Sequence, residues 1–394
     1  MIRALQINLN HCEIAQDLLM QTARELKLDI VLISEPYKQL SSLNWITDVH
    51  EKATIWACGT TPLQGSQRKG SGFIRAKFEG IQFYSCYAPP SLTQEEFAEF
   101  LDQLVEDARM YSPVAIAGDF NAWAVDWGSK ATNTRGCLLL EAMSLLDVVL
   151  LNTGDKPTFI KDEASSIVDL TFVSSTLARG SNSWGVSDIY TASDHCAIYW
   201  EVSPNKLYAN RVQVPCTRAN PVGWRTSTYD PGLFKIALED RPLLGKSASE
   251  KATEITLRLT KACDATMPRR HSNKRFLPVY WWNENISELR IKCVKARRTA
   301  QRARKTPLFE QLYNQYKEAR LKLNKAIKES KRNTWTMLLE EVEKDPWGRP
   351  YQIVVKQLRQ EKSTPTCPIL LRKIVSVLFP TQPKSSFQLG VEES

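Results

Sequence analysis

The chain has 394 residues, room for two or three domains of roughly 100–200 residues each. Hydrophobic residues make up 43% and charged residues 24%, which excludes a fibrous or wholly disordered chain. The net charge of +9 conceals two unlike halves: residues 1–203 carry 15 basic and 25 acidic residues, a net of −10, and the remainder 37 and 18, a net of +19. Such a split predicts two modules with different work. No apolar run reaches the ~18–20 residues of a membrane span, and the strongest late one, 369–379, is interrupted by Arg372 and Lys373. The opening MIRALQINLN reads as a first strand rather than a targeting segment. Nine cysteines are scattered and never form a C-x-x-C pair, which suits a reduced intracellular compartment without structural zinc.

In chain order, strand-like apolar runs fall at 3–8, 30–34, 54–57, 72–77, 82–87, 114–117, 148–152, 167–173 and 197–202. Helical spacing appears at 14–26 and 93–111, more weakly at 136–146, and Thr93 with Glu96 three residues on forms a capping box. Many short strands with a few helices predict an α/β domain over 1–203, its sheets packed together and its helices outside. Residues 204–232 are punctuated by proline and glycine and read as a linker. The region 233–350 reads as basic and helical, interrupted at Gly245, at a basic loop over 268–278 and again at Thr306 and Pro307. Residues 351–394, rich in Pro, Ser and Thr, read as a partly disordered tail.

Chemistry concentrates at the predicted strand ends: Asn8, Glu35, Asp119 with Asn121, Asp169, and the run Ser193, Asp194, His195. Any one of them has an ordinary structural role, such as closing a turn. As a set they carry more, because Asp169 interrupts an apolar strand and a buried carboxylate without a partner is costly. Carboxylates and amides with one histidine, and no second histidine nearby, suit a hard cation such as Mg²⁺, with Mn²⁺ as its substitute, better than zinc. Phosphodiester hydrolysis needs a cation on the phosphate, a base for water and a donor for the charged transition state. Glu35 and Asp194 suit the first, Asp119 the second, and His195 backed by Asp169 the third. Neither a G-x-x-x-x-G-K-[ST] loop nor a G-x-S-x-G elbow occurs, which sets aside nucleoside triphosphate and serine hydrolase chemistry.

The ordered motifs N-L-N (8–10), S-E-P (34–36), Y-A-P-P-S (87–91), G-D-F-N-A (118–122), N-T-R-G (133–136), P-T-F (157–159), V-D-L-T-F (168–172) and S-D-H (193–195) resemble the endonuclease/exonuclease/phosphatase superfamily. Within it they resemble the apurinic-type endonuclease domain of arthropod non-LTR retrotransposons. The resemblance implies an α/β fold, a two-sheet β-sandwich flanked by helices. It implies that Glu35 is the principal metal ligand, with Asn8 and Asp194 beside it. Asp119 would orient or deprotonate the attacking water, and Asn121 would hold that water and the transition state. His195 would contact the scissile phosphate with its ring oriented by Asp169, Tyr87 would hydrogen-bond a phosphate oxygen, and Thr158 and Ser193 would support the cleft. Pro90 stands where apurinic repair enzymes carry asparagine and retrotransposon endonucleases commonly carry proline, which implies nicking of intact DNA. The family's DNA-probing hairpin falls at 159–168, and Trp123 and Trp127 in the loop 123–135 either face DNA or are buried.

Residues 290–332 hold 15 basic and 3 acidic residues, either a solvated helix face or the footprint of a nucleic acid. Arg297, Arg298, Arg302, Arg304 and Lys305 are the candidate contacts to DNA, or to RNA, and Tyr313, Tyr316 and Trp335 read as packing residues. The stretches 278–290 and 345–359 resemble the linker that precedes reverse transcriptase in these elements. No F/Y-x-D-D tetrapeptide occurs, so polymerase activity is not expected, and the chain reads as the front part of a longer polyprotein or a truncated or domesticated copy. The expected function is a Mg²⁺-dependent endonuclease that nicks one DNA strand and leaves a 3′-hydroxyl for reverse transcription. The alternatives are an inactive nucleic-acid-binding remnant and a superfamily phosphatase acting on a non-DNA phosphoester. A nuclear location is expected from the substrate and the basic clusters at 269–275 and 295–305.

Overall fold

A computed structural model of the chain describes residues 1–40, 44–59, 61–162, 164–179, 183–203, 229, 231–238, 242–243, 247–267, 277–348 and 351–352. Most of the expected linker, the basic loop with its 269–275 cluster, and the tail from 353 onward lie outside the described residues. The chain forms two compact units, one of residues 1–38 with 47–279 and the other of residues 39–46 with 280–394.

Up to residue 119 the chain alternates strands and helices: β1 (Ile2–Asn8), α1 (Glu13–Glu25), β2 (Ile30–Ser34), β3 (Trp45–Thr47), β4 (Ala53–Ala57), β5 (Gln64–Lys69), β6 (Phe73–Phe78), β7 (Ile81–Tyr87), α2 (Gln94–Ala108) and β8 (Val114–Asp119). There follow α3 (Thr134–Ser144), β9 (Val148–Leu150), β10 (Phe159–Lys161), β11 (Ala164–Ser166), β12 (Asp169–Ser174), α4 (Ser175–Ala178), β13 (Gly185–Val186), β14 (Ile198–Val202), α5 (Pro231–Ala237) and α6 (Ala248–Thr266). One sheet has the order β13-β14-β1-β2-β4-β3, the other β5-β6-β7-β8-β12-β9, and β10 pairs with β11 alone. This is the two-sheet architecture with helices that the strand count and the resemblance imply.

The central strands β1, β2, β7 and β8 are wholly or almost wholly buried, as their continuous apolar runs require of strands covered on both faces. On one face of the second sheet, Tyr84, Ile116, Leu170 and Phe172 pack against Phe97, Phe100 and Leu104 of α2 and Leu139 of α3. Helix α2 begins where the capping box predicts, with Thr93 accepting from the Glu96 backbone N–H and Glu96 accepting from that of Thr93. The two sheets are also tied by hydrogen bonds that satisfy buried polar side chains. Ser34 Oγ donates to the Cys86 carbonyl at 3.0 Å and Ser85 Oγ to that of Ile33 at 3.2 Å. Gln6 Nε2 donates to the carbonyls of Gly118 and Leu170, while its Oε1 accepts from Thr171 Oγ1.

Register sets up the cleft. β1 pairs in parallel with β2, which aligns Asn8 with Ser34. β7 pairs in parallel with β8, which aligns Tyr87 with Asp119, and antiparallel β12 brings Asp169 opposite Asp119. Parallel neighbours end at the same edge, so polar residues 26 or more positions apart in sequence converge there.

In the second unit α7 (Glu284–Arg302) and α8 (Phe309–Lys344) form a helical hairpin, the break falling at Thr306 and Pro307 as predicted. Ile286, Arg290, Cys293 and Ala300 line the buried stripe of α7, and Leu323 and Ile327 that of α8. Asn283 caps α7 by accepting from Ile286 N–H, and its Nδ2 donates to Ser330 Oγ, which in turn donates to the Trp281 carbonyl. Among the described residues no helix is long and apolar enough to cross a membrane.

Candidate active site at the shared sheet edge

Asn8, the last residue of β1, is almost fully buried, and its amide is fixed on both sides. Its Oδ1 accepts from the Asn10 backbone N–H at 2.7 Å, so Nδ2 points into the cleft, donating to Glu35 Oε2 at 3.1 Å and to Asp119 Oδ2 at 2.9 Å. One amide thus joins two carboxylates delivered by different sheets. Glu35, one residue past β2, has φ +47 and Asn121, two past β8, has φ +46. Left-handed backbone at non-glycine residues costs of order 1–3 kcal/mol each and concentrates at functional sites. Tyr87 Oη donates to Glu35 Oε1 at 2.6 Å, so both oxygens of that carboxylate are held.

Asp119 Oδ1 accepts from the Asn121 backbone N–H at 3.0 Å, and Asn121 Nδ2 donates to the Ala88 carbonyl. Burial, and then the nearby Asp169 charge, push the Asp119 carboxyl up to about 7. His195 Nδ1 donates to Asp169 Oδ2 at 2.8 Å, and its Nε2 lies 3.9 Å from Asp119 Oδ2. Burial alone lowers His195, but the charge and hydrogen bond of Asp169 outweigh it and raise the imidazole to about 9. Burial and the Glu35 carboxylate push the Tyr87 hydroxyl upward. Asp119, Asp169 and His195 present ligand atoms within 4.8 Å of one another, and the group is able to hold a metal ion.

The supporting residues tie chain segments together. Thr158 Oγ1 accepts from the backbone N–H groups of Val168 and Asp169, which fixes the start of β12. Ser193 Oγ donates to the Asn8 carbonyl and accepts from the His195 backbone N–H, which fastens the S-D-H turn to β1. Asp194 accepts from Asn10 Nδ2 at 3.2 Å and lies 3.9 Å from Lys161 Nζ. The β10–β11 hairpin is seated on the same turn, with Ile160 N–H donating to the Asp194 carbonyl and the Phe159 ring 4.9 Å from that of His195. Of the two loop tryptophans, Trp127 is buried and Trp123 is half exposed.

Three further residues shape the cleft: two lie inside the motifs N-L-N and N-T-R-G and the third directly follows the first motif, but no role attaches to them from the sequence. Arg135, inside N-T-R-G, donates to the carbonyls of Ala88, Pro89 and Phe120, clamping the segments after Tyr87 and Asp119 together. Asn10 and His11 form the turn after β1, both at φ +48. The expectation of a single histidine is corrected here: His11 Nε2 stands 3.4 Å from Glu35 Oε1. In the other unit, Arg298, Arg302 and Lys305 are exposed while Arg297 and Arg304 are half-buried. Tyr313 stacks on Phe309 and touches Tyr316, as packing residues do, but Trp335 is 61% exposed, contrary to its packing assignment.

A family model described as Endonuclease-reverse transcriptase matches residues 81–199. The chain is 26% identical over 255 residues to the retrovirus-related Pol polyprotein from type-1 retrotransposable element R1 of Bradysia coprophila, a match covering 60% of this chain and 25% of that protein. It thus spans about a quarter of that relative's length. Similar solved structures include the endonuclease domain of TRAS1, a telomere-specific non-LTR retrotransposon, at 25% identity and a TM-score of 0.45 over 52% of this chain and 99% of that one. Another is an AP endonuclease from Archaeoglobus fulgidus, at 14% identity and a TM-score of 0.43 over 52% and 100% of the two chains. The matched family is one of endonucleases associated with reverse transcriptases, the enzyme class and kind of element that the ordered motifs imply.

Proposed function

We propose that residues 1–203 are a divalent-cation-dependent endonuclease that hydrolyses one strand of intact DNA and leaves a 3′-hydroxyl, on which the reverse transcriptase of an intact element would start synthesis. One observation carries the reading: the Asn8 amide joins Glu35 to Asp119 in a cleft that also holds the His195–Asp169 pair. Asp119 has both oxygens hydrogen-bonded, which orients it, and its raised affinity for a proton suits a general base near neutral pH. His195, raised to about 9, is cationic at neutral pH. With Nδ1 given to Asp169, its Nε2–H is free to stabilise charge on a phosphate oxygen. Asn121 would hold the water beside Asp119, and Tyr87 would pass its hydrogen bond from Glu35 to a phosphate oxygen as substrate enters.

The donor set fits a hard divalent cation. Glu35, Asp119 and Asp169 bring three carboxylates around one imidazole, Asp194 is linked to them through Asn10, and Asp169 Oδ1 is buried without a hydrogen-bond partner. Glu35 and Asp194 would hold the ion with Asn8 beside them, because Asp169 Oδ2 is already committed to His195. When bound, such an ion, Mg²⁺ or in its place Mn²⁺, neutralises the phosphate and polarises its P–O bonds. The basic α7–α8 hairpin would add grip on DNA or RNA through Arg297, Arg298, Arg302, Arg304 and Lys305. Cutting chromosomal DNA would require the protein to enter the nucleus.

Plasmid nicking tests the reading. Purified protein with Mg²⁺ or Mn²⁺ converts supercoiled DNA to open circles whose ends a polymerase extends, and a chelator stops it. Asp119→Ala and His195→Ala each slow nicking by roughly 10²–10⁴-fold. Intact plasmid with the wild-type protein, or variants that nick equally well, would sink the assignment. Phosphate release from small phosphoesters with DNA untouched would instead favour a phosphatase.

A further inference from the structure

Tyr87 and Asn8 hold the two oxygens of the Glu35 carboxylate, and His11 faces the same group from the turn after β1. We propose that His11 Nε2 is a nitrogen ligand at the Glu35 cation site, so that the site takes a first-row transition ion such as Mn²⁺ more tightly than Mg²⁺. This deepens the endonuclease reading and rests on it.

The tautomer decides the role of the ring. His11 Nδ1 lies 3.0 Å from the Pro36 carbonyl oxygen. A carbonyl only accepts, so Nδ1 bears the hydrogen, and in the neutral ring the lone pair then lies on Nε2. That lone pair stands 3.4 Å from Glu35 Oε1. The carboxylate cannot turn away, because both of its oxygens are held. With the ring neutral, two electron-rich atoms stand this close, and a cation between them satisfies both. A ring nitrogen donating to a backbone carbonyl is also the usual outer support of a metal-bound imidazole, since it fixes the ring and raises the basicity of the other nitrogen. The separation suits one shared ion: two bonds of about 2.1 Å meeting at roughly 108° span about 3.4 Å.

Access and support agree. The His11 side chain is 55% exposed, so an ion reaches it from solvent without opening the core. The same turn, with Asn10 and His11 both at φ +48, sends Asn10 Nδ2 to Asp194, so one short segment orients the nitrogen donor and a second carboxylate. Mg²⁺ keeps oxygen ligands and water, whereas imidazole suits first-row transition ions such as Zn²⁺, Fe²⁺ and Ni²⁺; Mn²⁺, which shares the carboxylate preference of Mg²⁺, belongs to that row.

The competing arrangement is an imidazolium paired with Glu35, in which His11 would compete with the cation. Calorimetric titration of the full chain with Mn²⁺ and Mg²⁺ separates the two, joined to electron spin-echo measurement of ¹⁴N coupling to bound Mn²⁺. In wild type, Mn²⁺ binds more tightly than Mg²⁺ and shows nitrogen coupling. His11→Gln weakens Mn²⁺ by roughly tenfold or more, removes that coupling and leaves Mg²⁺ affinity within about threefold. Unchanged or tighter Mn²⁺ binding in His11→Gln, with an unchanged melting curve, overturns the proposal while leaving the endonuclease reading intact. Absence of Mn²⁺ and Mg²⁺ binding in wild type, or unchanged binding in Glu35→Gln, overturns the site itself.

Discussion

Arg135 shapes the cleft through the backbone, and its charge also acts on Tyr87 and Asp119. Its guanidinium donates to three carbonyls on two loops and lies 4.0 Å over the Phe97 ring, which ties the backbone flanking Tyr87 and Asp119 to α2. A planar fork with fixed donors can do this and an ammonium cannot. Arg135→Ala is therefore expected to cost about 2–4 kcal/mol in chemical denaturation, because buried carbonyls lose charged donors. Arg135→Lys should recover little of it. Nicking by Arg135→Ala should lose kcat more than KM, and an equal loss in both would show that only substrate grip was touched. The motif marked this arginine, but its role depends on carbonyls 46 and 47 positions away, which nothing in the motif reveals. His11 escaped for a related reason. It is 24 positions from Glu35 in sequence, and only parallel pairing of β1 with β2 makes them neighbours. The carboxylates, amides and His195 were legible because polar residues at the ends of apolar runs stand out against their surroundings.

At the scale of elements, the close approach of β7 and β8 rests on one missing side chain. A Cβ on Gly118 would sit 1.9 Å from the Cys86 carbonyl oxygen, inside the pair of strands that deliver Tyr87 and Asp119. Gly118→Ala should lower the thermal midpoint sharply or leave the protein insoluble, since backbone rather than a movable side chain must yield. Thr93→Ala should cost only about 1 kcal/mol, the usual worth of an exposed N-cap, and leave nicking unchanged. Strands with continuous apolar runs, such as Ile30–Ser34, were legible to the residue. β5 was not: Gln64–Lys69 is exposed at every position, so it has no apolar alternation, and backbone pairing with β6 makes it a strand. β3, β10 and β11 are three residues each, too short for a period to register, and only the resemblance placed the β10–β11 hairpin, within 159–168.

Across the whole molecule the charge falls where the work would divide. A cleft that concentrates carboxylates does not by itself attract a polyanion, whereas the net of +12 over residues 290–332 is of the sign that does. Reversing Arg298, Arg302 and Lys305 to glutamate should weaken binding of the full chain to duplex DNA and flatten its salt dependence. The slope of log affinity against log salt should fall by about 0.9 for each phosphate that is no longer neutralised. An unchanged slope would mean a solvated helix face.

The pairing of β1 with β14 has a consequence for synthesis on the ribosome. Ile2 lies opposite Val202, so the turn carrying Asp194 and His195, and the strand beside it, emerge almost two hundred residues after the strand ending in Asn8. Ser193 then fastens that turn to the Asn8 carbonyl. A nascent chain therefore holds only half of this polar cluster until β14 has been made, so the cluster closes late in synthesis.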